Sequence, residues 1–535
     1  MNGGRSGDSA NGHGPARRSD GSGPPRRDNR NEHASRERDD GAPVRNRRDD
    51  VDRRAQRDGG RARTRVQNSR RVAYVVLRAV TDDDAYANLL LPREIERAGL
   101  NGADAGLATE LTYGTLRRIG TYDRIIATAA RRDAADIDAP VLDALRLGAH
   151  QLLSTRVARH AAVNESVELV RESGGRGAAG FSNAVLRRVA ERGLDEWISI
   201  LEEAARSDDD RLAARHSHPV WVIRAFRRAL AAEGRADELV ELLEADNASP
   251  RVTMIALPGL AEPDAPRTPF SPVGFSAASG DPEPLVRSSG GRIRVQDEGS
   301  QLVALALSRL DLGAADARQA GEADGAVGIE APASERWLDL CAGPGGKTAL
   351  LAAEARERGA VLDANELSPH RAELVRRALD AVPGNVEVAE QDGRELASER
   401  QGTYDRILVD APCTGLGALR RRPEARWRKR PADVAELAEL QEQLLREAIR
   451  ALKPGGVVAY ITCSPHLAET AAVVSRITDE LGDAVEELDS REAIRAVSLD
   501  EIDLAEPADG SGRAQLWPHR HGTDAMFLSL LRRTR

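Results

Sequence analysis

YDRILVDAPCTGLG, residues 404–417, is the stretch on which the fold turns. It opens with the apolar run Ile407-Leu408-Val409, and a short apolar run bounded by turn signals reads as a buried strand. Asp410 stands where that strand should end. The chain then turns through Ala411-Pro412-Cys413-Thr414-Gly415. Open α/β sheets collect their ligands beyond the carboxyl ends of their strands, so an acid and a thiol here mark a candidate site.

Working outward, the same alternation recurs. Strands are expected at 336–340, 360–364, 386–388, 406–409, 457–462 and 526–530, with helices between them at 349–358, 369–379 and 432–452. Strands alternating with helices imply a parallel sheet covered on both faces. This predicts an α/β Rossmann-like domain over 334–535.

Its first strand runs into Cys341-Ala342-Gly343-Pro344-Gly345-Gly346-Lys347-Thr348, a Gly-rich turn that starts a helix. Glycines let the backbone approach a ligand, and a helix N-terminus favours anionic groups. A phosphate-binding P-loop needs Gly where Cys341 stands, so that motif fails. Gly343, Gly345 and Gly346 do not satisfy the dinucleotide fingerprint either. The next strand ends in Asp363-Ala364-Asn365-Glu366. A carboxylate ~20 residues past such a turn suits ribose hydroxyls, and Glu366 is preferred over Asp363. Asp392 ends the third strand region and could meet an adenine. With Asp410, three acids at successive strand ends outline a nucleoside pocket.

Val457-Val458-Ala459-Tyr460-Ile461-Thr462 is a strongly apolar strand that ends in Cys463-Ser464-Pro465-His466. If it neighbours the Asp410 strand, Cys413 and Cys463 stand side by side. A lone Cys is ordinarily a small buried hydrophobe. Two thiols beside a nucleoside pocket fit a particular chemistry. Cytosine C5 is a poor nucleophile until a thiolate adds to C6. Such a reaction needs a nucleophilic Cys, an acid at the N3 edge and a group that assists elimination.

The chain has 535 residues and a net charge of −9, which does not advertise nucleic-acid binding. Its three Cys argue against a disulfide framework. Only Lys347, Lys429 and Lys453 are Lys; in so Arg-biased a chain, a retained Lys points to a need for a compact ammonium. No apolar run approaches the ~20 residues of a membrane span, and MNGGRSGDSA has no signal-peptide core. A cytoplasmic monomer without metal is expected.

Residues 1–65 are Arg-, Gly- and Asp-rich and are expected to be a disordered tail. Residues 66–207 read as an all-α domain, with helices at 101–118, 122–131, 139–154, 161–172 and 181–190. Residues 208–312 read as a helical linker and small α/β domain, and 313–333 as a flexible insertion. Arg420, Arg421, Arg422, Arg426, Trp427 and Arg428 follow the Cys413 loop. Guanidinium groups with an interleaved Trp suit phosphate contact and base stacking, so they are candidate RNA-binding residues.

The helical stretches ATELTYGTLRR (108–118), LDALRLGAHQLL (142–153) and AAVNESVELV…GFSNAVLRRV (161–189) resemble a NusB-type RNA-binding domain. DLCAGPGGKT (339–348), DAPCTGLGALRRRPEARW (410–427), LKPGG (452–456) and TCSPHLAET (462–470) resemble the bacterial 16S ribosomal RNA cytosine-5 methyltransferases of the Sun type. The resemblance spans about 70–535. It implies S-adenosylmethionine as methyl donor and 16S ribosomal RNA, or a small-subunit precursor, as substrate. It carries over Cys341–Lys347, Glu366, Asp392 and Asp410 as donor-binding positions, Cys463 as nucleophile and Cys413 as the thiol assisting product release. Three positions depart from the family: Gly343 where Ala is frequent, Glu366 where Asp is common, and Thr414 where Ser is common. A transfer RNA methyltransferase of the same chemistry and a non-catalytic antitermination-type factor are the alternative readings.

Overall fold

A computed structural model describes residues 68–535 except 264, 278–280 and 314–333. The expected tail at 1–65 and nearly all of the expected insertion lie outside the described residues. The chain first forms helices at 68–82, Ala87–Arg97, Gly102–Arg117, Ile119–Ala130, Ala139–Ser154 and Arg159–Val189. Pro140 stands in the first turn of its helix, where a missing N–H leaves no bond unmade. Leu77, Leu111, Tyr122, Ile125, Leu145, Val170 and Leu186 are buried together at the centre of this bundle.

One correction falls here. The two helices expected at 161–172 and 181–190 are a single helix, Arg159–Val189. Glycine lowers local helix propensity by ~1 kcal/mol per residue, which is why Gly174-Gly175 reads as a break. The helix continues because both of its halves are anchored in one core, through Val163, Leu169 and Val170 at one end and Val185, Leu186 and Val189 at the other.

Helices Leu194–Glu203, Asp208–His216, Val220–Ala232 and Leu239–Ala245 lead on to a three-stranded antiparallel sheet. Its strands are β1 (Thr253–Ala256), β2 (Gly274–Ser276) and β3 (Ile293–Val295), in the order β2-β1-β3. The next helix, Glu298–Ser308, is almost wholly buried. Asp297 caps its start by accepting the N–H of Gly299 at 3.0 Å. Arg406 closes its other end, donating to the carbonyls of Leu307 and Leu310 at 2.7 and 2.8 Å. A cation at a helix C-terminus also meets the favourable end of the helix dipole.

The main sheet comprises β4 (Arg336–Asp339), β5 (Val361–Asn365), β6 (Glu387–Ala389), β7 (Tyr404–Asp410), β8 (Leu452–Thr462), β9 (Val485–Leu488), β10 (Ala514–Gln515) and β11 (Phe527–Arg533). Their order is β10-β11-β8-β7-β4-β5-β6, with β9 also pairing to β11. The run β8-β7-β4-β5-β6 is parallel, and β11 pairs antiparallel to β8. The sheet is therefore mixed rather than wholly parallel, as many doubly wound sheets with an antiparallel edge are. From β4 the chain crosses to β5 on one side, while β7 pairs on the other. That reversal opens a crevice beyond the carboxyl ends of β4 and β7. Among the described residues no helix is long and apolar enough to cross a membrane.

Candidate active site

β4 ends at Asp339, whose Oδ2 accepts the Thr348 hydroxyl at 2.7 Å. This bond ties the strand end to the first turn of helix Gly346–Arg358. Burial pushes the Asp339 carboxyl up to about 7, partly countered by the Thr348 hydroxyl. Gly345 caps the helix at φ +104, a conformation that side-chain-bearing residues rarely adopt. A Cβ there would also come within 2.6 Å of Ala378 Cβ.

Glu366 is buried at the end of β5. Its Oε2 accepts the N–H of Gly343 at 3.0 Å, and its Oε1 accepts that of Ser368 at 3.0 Å. Arg371 donates to the Gly343 carbonyl at 2.6 Å. Asn365, which sequence reasoning passed over, links three strand ends. Its amide donates to the carbonyls of Leu340 and Gln391 and accepts the N–H of Gln391, at 3.2, 3.0 and 3.0 Å. Asp392 stands at the next strand end, where it accepts the backbone N–H of Arg394 at 3.0 Å and pairs with its guanidinium. That guanidinium holds the Asp392 carboxyl below its usual range.

Lys347 lies on the same helix, and its Nζ bonds Asp410 Oδ2 at 2.7 Å. Burial works against the ammonium, but Asp410 outweighs it and raises the Lys347 pKa. Cys341 is a thiol held protonated by burial and by the acids around it.

β7 and β8 are neighbours, with Asp410 opposite Ile461. Cys413 and Cys463, both partly accessible, follow these strands, and their Sγ atoms are 3.4 Å apart. The loops are also laced through the backbone: Gly417 N–H donates to the Cys463 carbonyl at 2.8 Å, and Ala525 N–H to the Gly417 carbonyl at 2.9 Å. The two thiols differ electrostatically. A bond from Cys413 and the field of Lys347 outweigh desolvation at Cys463 and lower its pKa. The bond to Cys463, then burial and the charges of Glu469 and Asp410, raise that of Cys413.

The arginine cluster departs from expectation. Arg426 has no exposed surface; its guanidinium donates to the carbonyls of Arg117, Ser217 and Asp246 and to Asn247 Oδ1, at 3.0–3.3 Å. Arg420 is buried against Asp297 and Asp524, at 2.9 and 3.3 Å. Arg428 donates to the carbonyls of Val80 and Ala85, at 3.1 and 2.5 Å. A buried guanidinium keeps its charge only where acceptors surround it, and Arg426 and Arg420 have those acceptors inside the protein, where they join parts of the chain. Arg428 is partly exposed. Arg421 is bound to Asp524 but partly exposed, Arg422 is exposed beside the Tyr86 ring, and Trp427 is 39% exposed.

The sheet order and the turn after β4 define a Rossmann-like methyltransferase, here preceded by a helical bundle. A crystal structure of the protein PH0851 shares the fold, with a TM-score of 0.69 at 19% identity, over 88% of this chain and 99% of that one. Residues 327–532 match the family described as 16S rRNA methyltransferase RsmB/F, and residues 67–191 match the NusB family. The Mycobacterium tuberculosis (strain ATCC 25618 / H37Rv) protein named "Putative methyltransferase Rv1407" is 46% identical over 89% of this chain and 98% of its own. The "Ribosomal RNA small subunit methyltransferase B" of Pseudomonas putida is 31% identical over 76% of this chain and 88% of its own. The chain belongs to the 16S rRNA methyltransferase RsmB/F family.

Proposed function

We infer that this RNA methyltransferase modifies C5 of a specific cytosine in 16S ribosomal RNA through a covalent adduct between Cys463 and C6. The observation that carries this reading is the pair of thiols 3.4 Å apart at the ends of adjacent strands, beside Lys347 and Asp410. The names of the small-subunit methyltransferase relatives support ribosomal RNA as substrate.

The residues of the turn after β4 suit S-adenosylmethionine. Close packing at Gly343 and Gly345 leaves no room for a side chain in that turn, Glu366 offers a carboxylate for ribose hydroxyls, and Asp392 and Asp410 continue the series at the neighbouring strand ends. When bound, this donor supplies an electrophilic methyl group, which the activated C5 takes.

The remaining roles fall to the chain itself. The Cys463 thiolate adds to C6, forming the S–C6 bond and moving the C5=C6 electron pair to C5. Asp410 is assigned to the N3 edge of the pyrimidine. After methylation the C5 proton passes to solvent water. Its electron pair re-forms the double bond, the S–C6 bond breaks, and its pair returns to Cys463. Cys413 assists this release. The base must leave its stack to reach the thiols.

The test is incubation of the protein with labelled donor and unmethylated small-subunit RNA, followed by mapping of 5-methylcytosine. Cys463→Ala is expected to abolish turnover and Cys413→Ala to accumulate a protein–RNA adduct. Absence of label in any RNA overturns the reading.

A further inference from the structure

Glu469 is an acid at this end of the sheet to which the mechanism above gives no role. It has no exposed surface. Its Oε1 accepts the backbone N–H of Thr414 at 2.7 Å and the amide of Gln441 at 3.4 Å. Its Oε2 accepts the hydroxyls of Thr414 and Ser464, the latter at 2.7 Å. Thr414 follows Cys413 and Ser464 follows Cys463. One carboxylate therefore grips the residue after each thiol, on loops brought together only by the pairing of β7 and β8.

Three further bonds fix this arrangement. The Thr414 and Ser464 hydroxyls are 3.1 Å apart, Gln441 donates to the Pro412 carbonyl at 2.7 Å, and the Tyr460 hydroxyl donates to the Glu469 carbonyl at 2.7 Å. All four donors to the Glu469 carboxylate are uncharged. A buried charge without an ionic partner costs several kcal/mol, and a neutral amide would serve packing alone at lower cost. Two of the contacts to the Glu469 carboxylate come from Thr414, on the Cys413 loop, and its field opposes a charge on Cys413, whereas the Lys347 ammonium favours one on Cys463.

We propose that Glu469 is a positioning residue of the reaction: it sets the approach of the two thiols and keeps the shared proton on Cys413, so that Cys463 is the attacking thiolate. This rests on the covalent reading above. Two thiols carry two protons, so one leaves to solvent before attack; the one that remains is held between the two sulfurs, 3.4 Å apart. In the sequence Glu469 stands six residues past Cys463, in TCSPHLAET.

The experiment is site-resolved alkylation of the full chain with iodoacetamide across pH, read by mass spectrometry. Only the thiolate reacts, so each profile reports one thiol. In the unmodified protein Cys463 is expected to alkylate at lower pH than Cys413; the reverse order overturns the proposal without any variant. Glu469→Gln keeps the size and a hydrogen-bonding oxygen but removes the charge. It is expected to lower the Cys463-to-Cys413 rate ratio at neutral pH roughly tenfold, the equivalent of one pH unit, and to lower turnover at least as far. A loss of turnover or of melting temperature with an unchanged ratio makes Glu469 merely structural and overturns the proposal. The covalent reading fails separately, by absence of 5-methylcytosine from the unmodified enzyme, whatever the alkylation order.

Discussion

The Lys347 ammonium lies 2.7 Å from Asp410 Oδ2, bridging the first turn of the helix after β4 to the end of β7. Its field also reaches Cys463 and favours the thiolate there. The rate should therefore rise with pH through a Cys463 value below the ordinary thiol range. Lys347→Met removes the ammonium and is expected to move the rising limb of kcat/KM upward by about one pH unit, so that the rate on that limb falls about tenfold. A pH–rate profile measured on both proteins checks this, and a limb that does not move refutes it.

Gly343 and Glu366 fit each other. A Cβ at Gly343 would stand 2.3 Å from Glu366 Oε2, so Gly343→Ala alone should displace the carboxylate. Glu366→Asp alone should lose the 3.0 Å bond to the Gly343 N–H. Together the methyl occupies the room that the shorter acid vacates, with the flexible Arg371 guanidinium, 2.7 Å from the same Cβ, moving aside. Each single variant is expected to weaken donor binding, and the double variant to recover affinity with a coupling of about 1 kcal/mol. Calorimetric titration of the four proteins with S-adenosylmethionine measures that coupling. Strict additivity would show that the two departures from the family pattern are independent.

These contacts also explain what was legible in the chain. The turn after β4 could be read because Gly343, Gly345 and Gly346 impose local backbone requirements. Cys413 and Cys463 could be read because each ends an apolar run. Glu469 could not: its partners on the Cys413 loop are distant in sequence and become neighbours only when β7 pairs with β8. The same limit misled the reading of Arg426 and Arg420, because composition reports charge but not burial. β9 and β10 went unseen because they are short and need β11 to exist as strands.

Asp339 gives a pH-dependent stability. Its folded carboxyl is raised to about 7, whereas an unfolded Asp titrates near ~3.9. Between those values the folded chain holds a proton that the unfolded chain has released. Stability from this group is therefore full below about pH 4 and is lost as pH rises toward 7, by roughly 2–4 kcal/mol. Asp339→Asn keeps an acceptor for the Thr348 hydroxyl and cannot ionise. Urea unfolding at pH 4 and pH 8 is expected to show the variant gaining on the original chain far more at the higher pH. An equal difference at both values would mean that Asp339 does not titrate in this window.

Arg426 separates a joint from a nucleic-acid contact. Its guanidinium serves four acceptors from Arg117, Ser217, Asp246 and Asn247, and burial lowers its pKa to about 10. Arg426→Ala strands those acceptors and leaves a cavity, so it is expected to cost about 3–5 kcal/mol in urea unfolding. The exposed Arg422→Ala should stay within ~0.5 kcal/mol. RNA binding should divide the two in the opposite sense. Loss of an arginine that meets a phosphate lowers the salt dependence of binding by about one counterion. The slope is expected to fall for Arg422→Ala and to hold for Arg426→Ala, measured under conditions where that variant is folded. A reduced slope for Arg426→Ala would return this residue to the RNA face.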